Sequence, residues 1–156
     1  MSTFLLIIGL VLTGLMAGVY FAFSIAVTPG LGRTDAKAYV TSTQRINESI
    51  LNPVFLTTFL LAFAAPAVAV FLHLGDEGRA RLPWIIAGAL LYGATIVTTG
   101  ALNIPLNNQI AAAGDVTSES APAVRAAFHD RWLRYNNVRT VLAVAAVIML
   151  AVALAR

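Results

Sequence analysis

The stretch AVRAAFHDRWLRYNNVRTVLAVAAVIMLAVALAR, residues 123–156, contains neither glycine nor proline. Nothing in it interrupts an α-helix, so it predicts one continuous rod about 50 Å long at 1.5 Å per residue. Its second half, Val138 to Ala155, is almost wholly apolar and long enough to cross a hydrocarbon layer about 30 Å thick. Its first half carries Arg125, His129, Asp130, Arg131 and Arg134, charges that belong beyond that layer. A helix that half spans a bilayer and half leaves it sets the terms for the rest of the chain.

Three further segments qualify as spans. The first runs from about Thr3 to Thr28 and is expected to end at Pro29-Gly30. The second runs from about Ile50 to Leu74 and stops at Gly75. The third opens at Pro83-Trp84, where proline suits a first helical turn, and reaches about Leu102. The first span lacks a basic leader region, and its apolar run from Phe4 to Val27 exceeds a typical signal-peptide core, so it reads as a span.

Composition agrees. Of 156 residues 59% are hydrophobic and only 11% charged, against about 45–50% and 25% in soluble domains. A water-soluble enzyme is excluded because the chain lacks the polar surface to cover its core. With no cysteine, disulfides, thiolate metal sites and cysteine nucleophiles are excluded as well. The net charge of +3 comes from scattered basic residues and implies no nucleic-acid partner; the partner is the lipid bilayer.

The expected fold is therefore all-α, a single domain over residues 1–156 with four transmembrane helices. The first loop holds Ala36, Val40, Thr43, Ile46 and Ile50 at three- and four-residue spacing, the pattern of an amphipathic helix. The short connection Gly75 to Leu82 makes spans two and three antiparallel neighbours. Gly114 to Ser120 reads as a flexible link into the last helix.

Four spans put both ends of the chain on one side of the membrane and the two long loops on the other. Tyr20, Ser24, Thr28, Glu48, Asn52, Thr95, Thr98, Thr99, Asn103, Arg139 and Thr140 all fall towards the long-loop side. Polar side chains in a bilayer face a bundle interior or a wet cavity, so this end suggests a pocket. Proximity to lipid headgroups explains Thr28 and Asn52 equally well, but Tyr20 and Thr95 less well.

At 100° per residue, Arg125, His129, Trp132, Asn136 and Arg139 fall in an arc of roughly 80°. A cation, an imidazole, an indole and an amide on one stripe suit a polarised aromatic ligand. Arg139 would stabilise negative charge, Asn136 would hydrogen-bond, Trp132 would supply a flat wall and His129 would take a proton. Interfacial aromatics and orienting arginines are the plainer reading of each member alone. An arginine at the membrane boundary needs an acceptor, and Glu48 at the same end is the expected one. Asn103-Ile104-Pro105-Leu106-Asn107 reads as a helix end that proline enforces, with asparagines satisfying freed carbonyls.

Asn103-x-Pro105-x-Asn107, followed by Trp132-x-x-Tyr135-Asn136-x-Val138-Arg139-Thr140, resembles the anthrone oxygenase-like family of small four-helix membrane proteins. The resemblance implies a four-span bundle. In the few fungal members of known activity, it also implies oxidation of an anthrone to an anthraquinone by dioxygen without a bound cofactor. It places Asn103, Asn107, Trp132, Asn136 and Arg139 at the site. A histidine is common in the family immediately before the Val–Arg pair; Asn137 stands there in this chain, leaving His129 as the substitute for proton transfer. The candidate site is therefore Arg139, Asn136 and His129 as catalytic residues, with Trp132, Asn103, Asn107, Tyr20 and Glu48 binding a planar, hydrophobic, anthrone- or quinol-like compound.

Two rivals stand beside this reading. A metal site would have to draw on His129, Glu48 and Asp130, a set with no established ligand spacing; no metal or other cofactor is expected. A non-catalytic bundle would act through self-association or a partner, with Gly14-x-x-x-Gly18 permitting close helix approach. The expected location is the plasma membrane of a bacterium. Seven basic residues on the long-loop side against Arg79, Arg81 and Arg156 on the other place the long loops in the cytoplasm.

Overall fold

The computed structural model describes residues 2–75 and 79–156; the middle of the short connection, Asp76-Glu77-Gly78, lies outside them. The described chain is helical. In order it comprises α1 (Ser2–Ala22), a π-helical turn (Phe23–Val27), α2 (Thr28–Leu31), α3 (Ala36–Ile50) and α4 (Pro53–Leu72). Then follow α5 (Leu82–Thr98), a second π-helical turn (Thr99–Asn103), α6 (Ile104–Ala112) and α7 (Ala121–Ala155). Four continuous helical stretches are long and apolar enough to cross a membrane: Thr3–Leu31, Pro53–Leu72, Leu82–Ala112 and Ala121–Ala155. The protein is a multi-pass membrane protein built as a helical bundle.

Both prolines read as helix ends turn out to lie inside continuous helices. The first span runs through Pro29 to Leu31, and the third through Pro105 to Ala112. Proline has no N–H and its ring crowds the carbonyl four residues back, here that of Ile25 or Ala101. Both carbonyls sit inside a π turn, where pairing shifts to i−5: Thr28 N–H bonds Phe23 O, and Ile104 N–H bonds Thr99 O. The extra residue per turn moves the obstructing carbonyl aside, so each helix tolerates its proline.

The amphipathic helix of the first loop forms as α3. Asp35 caps its start, accepting from Ala38 N at 2.9 Å, and Asn52 caps α4 by accepting from Phe55 N at 3.0 Å. The last helix begins at Ala121, two residues before the glycine- and proline-free stretch, because Pro122 falls in its first turn.

The four long helices pack in a ring: α1 against α4 and α7, and α5 against α4 and α7. Three clusters stack along it. At the end bearing the chain termini, Leu6, Ala69, Ile85, Leu150 and Ala153 are buried together. In the middle, Met16, Tyr20, Ala62, Tyr92, Ala143 and Ala146 fill the axis. Beyond the polar end, Tyr39, Val40, Leu106, Ile110, Phe128 and Trp132 form a third cluster under α3 and α6. The outward faces keep large apolar side chains such as Phe4, Val54, Phe71, Leu90 and Val141 exposed, as lipid contact requires.

Candidate functional site

The stripe of α7 faces inward at the polar end. Trp132, Asn136 and Arg139 are buried, while Asp130, Arg134 and Asn137 point outward. Tyr20 and Thr95 are 3% and 0% exposed, so both face the interior and not the headgroups. Thr95 spends its hydroxyl on Leu91 O of its own helix; Tyr20 does not.

Asn136 joins α7 to α1. Its Nδ2 donates to Tyr20 O and to Ser24 Oγ, each at 2.8 Å. Tyr20 lies in the last turn of α1, just before the first π turn, and Ser24 lies within that turn. Ser24 Oγ also meets Thr140 Oγ1 at 3.0 Å. On its other side Asn136 Oδ1 accepts from Arg139 Nη2 at 2.8 Å. Arg139 Nη1 reaches Thr99 Oγ1 of the second π turn at 3.4 Å. The two irregular turns thus each carry one hydroxyl to the same Asn–Arg pair.

Arg139 has no carboxylate partner among the described residues. Its guanidinium stands over the Tyr20 ring at 4.6 Å and the Trp132 ring at 5.5 Å, and its Nε makes no hydrogen bond. The expected partner Glu48 is elsewhere. It is an exposed residue of α3 bonded to Arg45 at 2.9 Å, because helical i,i+3 spacing satisfies it locally in water at less cost than burial would. A buried cation with only π faces and neutral acceptors retains unused capacity for an anion.

Beside Arg139 lies a cavity of about 130 Å³ lined by Tyr20, Asn107, Trp132, Asn136, Arg139 and Thr99, with Val19, Phe23, Ile46, Ile50, Phe55 and Phe59 among its apolar walls. Asn107 Oδ1 accepts from Trp132 Nε1 at 2.7 Å, which fixes the indole against Phe23 and Phe128. Of the predicted residues, then, Tyr20, Asn107, Trp132, Asn136 and Arg139 come together. Asn103 is buried one step away and donates to Trp132 O at 3.4 Å, bracing α7 from behind the cavity wall.

His129 does not reach the cavity. Its Nδ1 meets Tyr39 Oη at 3.1 Å, and its ring closes on Gly32, where a Cβ would come within 3.2 Å of Cε1. One helical turn further out, Arg125 donates to Gly32 O and Thr34 O and covers the Tyr39 ring at 5.2 Å. The outer half of the stripe is therefore a clasp on the end of the first span, where a guanidinium satisfies terminal carbonyls. The residues lining the cavity include no carboxylate and no imidazole. Among the described residues no three His, Asp or Glu side chains gather as metal ligands would.

Sequence reasoning missed Asn47. It lines the cavity, and its buried Nδ2 has no hydrogen-bond partner. The signal was present: Asn47 lies four residues after Thr43 and three before Ile50, an amide inside the apolar stripe of α3. Tyr20 Oη is likewise buried without a hydrogen bond of good geometry. Three unused polar atoms, Arg139 Nε, Tyr20 Oη and Asn47 Nδ2, thus belong to residues around one small cavity.

Two larger hollows adjoin it. One, of about 480 Å³, opens between α3 and α6; it is lined by Gln44, Glu48, Asn108 and Asp115 and shares Asn47 and Asn107 with the inner cavity. The other, of about 630 Å³, lies between α1, α3 and α4 and is mostly apolar.

A family model described as Anthrone oxygenase matches residues 45–149, from the C-terminal part of α3 through most of α7. No curated protein and no solved structure matches the chain. The matched region holds Asn47, Thr99, Asn107, Trp132, Asn136 and Arg139 and covers well over half of the sequence, so the chain belongs to the anthrone oxygenase family.

Proposed function

We propose that this protein binds a planar, hydrophobic, anthrone- or quinol-like compound in the cavity beside Arg139 and oxygenates it with dioxygen, without a cofactor. The observation that carries the reading is a buried guanidinium with an unpaired Nε and, among the described residues, no carboxylate partner, set beside an apolar cavity. A carbonyl-bearing substrate with an acidic C–H places its oxygen at Arg139, whose charge favours the enolate over the neutral ketone. With no base in the lining, the proton leaves to water through the polar hollow at Asn47 and Asn107. The carbanion then adds dioxygen to give a peroxide anion, which takes a proton back from water to become the hydroperoxide. Loss of water from that intermediate leaves a new carbonyl, so one dioxygen yields one ketone oxygen and one water. Trp132 and Phe59 supply flat walls that hold the ring system in place.

The proposed setting is the plasma membrane of a bacterium, with the long loops in the cytoplasm on the strength of their seven basic residues. The test is oxygen uptake by the purified protein in lipid nanodiscs with anthrones and quinols as substrates. Uptake and quinone formation in equal amounts, both lost in Arg139→Met, are expected. Absence of both binding and uptake across anthrones and quinols would overturn the reading.

A second reading, self-association, draws on one observation. A Cβ at Gly14 or Gly18 would meet nothing within 4 Å, so neither glycine serves packing inside the protomer. Crosslinking in membranes that survives Gly14→Leu and Gly18→Leu together would remove this reading.

A further inference from the structure

The inner cavity and the apolar hollow beside it are continuous in their walls. Val19, Phe23, Ile46, Ile50 and Phe55 line both. The inner cavity's volume of about 130 Å³ is close to the roughly 150 Å³ void that holds a single benzene ring. Three fused rings need considerably more. The residues that carry its unpaired polar atoms, Arg139, Tyr20 and Asn47, line that one-ring space. The hollow outside, about 630 Å³, is of another kind. Its outer lining includes Leu15 and Val54, 56% and 77% exposed on spans one and two, so it opens sideways along the spans, with Arg45, Ser49 and Asn52 at its rim.

We infer that the ligand of this site is a single oxygenated ring carrying an aliphatic tail, with the ring in the inner cavity and the tail in the lateral groove between α1, α3 and α4. The inference rests on the proposed reading of the cavity as a ligand site and narrows its chemistry. A phenol, quinol or quinone head presents oxygens to Arg139, Tyr20 and Asn47. A chain leaving the opposite edge passes between Val19, Ile46 and Phe55 and lies where lipid would otherwise lie. Such a molecule dissolves in the bilayer, so it arrives laterally and never crosses water. The polar hollow at Asn47 and Asn107 stays open for protons while the tail occupies the other side. One ligand thereby accounts for a small polar-lined cavity, a large apolar groove and the wall they share.

The probes are 2,5-dimethyl-p-benzoquinone, the same head bearing a decyl chain, and anthrone. Binding is read as the excess of each probe retained by protein-containing nanodiscs over empty ones, a readout that added tryptophans do not disturb. Leu15→Trp and Val54→Trp fill the groove from positions that line it but not the inner cavity, and both side chains are exposed enough to spare the fold. The decyl quinone is expected to bind about tenfold tighter than the head alone, and either tryptophan is expected to bring that ratio to about one. Membrane partitioning is the same for each probe in every variant, so it cannot produce that change. Equal binding of the two quinones, or a ratio that neither tryptophan alters, overturns the inference and assigns the groove to bulk lipid. Anthrone binding tighter than the decyl quinone also overturns it, but leaves the proposed function standing. Failure of all three probes to bind overturns the proposed function itself.

Discussion

The two ends of the bundle are made from the same four helices and solve opposite problems. At the end bearing the termini, helices touch through their smallest residues: a Cβ on Gly9 would come within 3.0 Å of Pro66, and one on Gly88 within 2.9 Å of Leu150. Ala69, Leu150 and Ala153 are fully buried there. At the other end two π turns widen the first and third spans, aromatic rings replace alanines, and side-chain hydrogen bonds take over from close contact. The sealed end holds the helices together, so the polar end is free to leave a space between them. Irregular helical turns in a membrane are supported by neighbouring side chains, and Asn136 and Arg139 reach Ser24 and Thr99 within the two π turns.

The comparison breaks most sharply at Arg139. Arg139→Met keeps the volume and removes the charge, so oxygen uptake or ligand affinity should fall on the order of 10²–10³-fold. Thermal stability should change little, since the desolvation cost of a buried cation disappears while Asn136 Oδ1 loses its donor. Arg139→Lys should not restore activity, because an ammonium lacks the planar fork that meets Asn136 and stacks between Tyr20 and Trp132. A melting temperature that drops steeply in Arg139→Met would make the residue a structural strut.

Asn136→Ala is the next largest. It strands Tyr20 O and Ser24 Oγ on α1 and frees one arm of Arg139. Leaving buried partners unsatisfied costs about 1–3 kcal/mol, to be read from thermal melts in detergent. Activity should fall too, through loss of Arg139 orientation. Unlike Arg139→Met, this variant lowers both readouts together, and that pairing separates the scaffold of the polar end from its charge.

One glycine towards each end reports the packing there. Gly88→Ala drives a methyl against the fully buried Leu150, so it should cost about 1–3 kcal/mol by overpacking. Gly18→Ala meets open space and should change protomer stability by less than about 1 kcal/mol. Equal melting temperatures for the two variants would mean that the ends differ less in packing than their distances imply.

How far the sequence reveals this division depends on what kind of information each part needs. Spans are a matter of composition and length, and all four were visible, as was α3 from its apolar spacing. The stripe on α7 followed from helical arithmetic because nothing interrupts that helix. The π turns were hidden, since Pro29 and Pro105 look identical whether a helix stops or widens at them; only the tertiary partners Asn136 and Arg139 make the wide turn worthwhile. His129 and Glu48 were misplaced for a related reason. Helical phase says which way a residue faces but not how far along the axis the cavity extends, and it ends one turn short of His129. Asn47 was legible as a polar intruder on an apolar face, although its cavity was not.

The smallest effect concerns Tyr39, on the helix that caps the polar end. Its ring is 1% exposed, and burial pushes its hydroxyl up to about 12 from an ordinary 10.0, with the Arg125 guanidinium pulling weakly the other way. Below pH 10 the phenol is protonated whether or not α3 is docked, and its full contribution to stability is present. Between pH 10 and about 12 the undocked chain releases the proton and the docked one does not, so undocking gains and the contribution drains away as pH rises. Hydrogen exchange in α3 should therefore quicken over that interval before the sealed end responds, and Tyr39→Phe should flatten the rise. An α3 profile unchanged by Tyr39→Phe would show that the clasp of Arg125 and His129 holds α3 without this hydroxyl. The polar end would then be no easier to loosen than the end it is compared with.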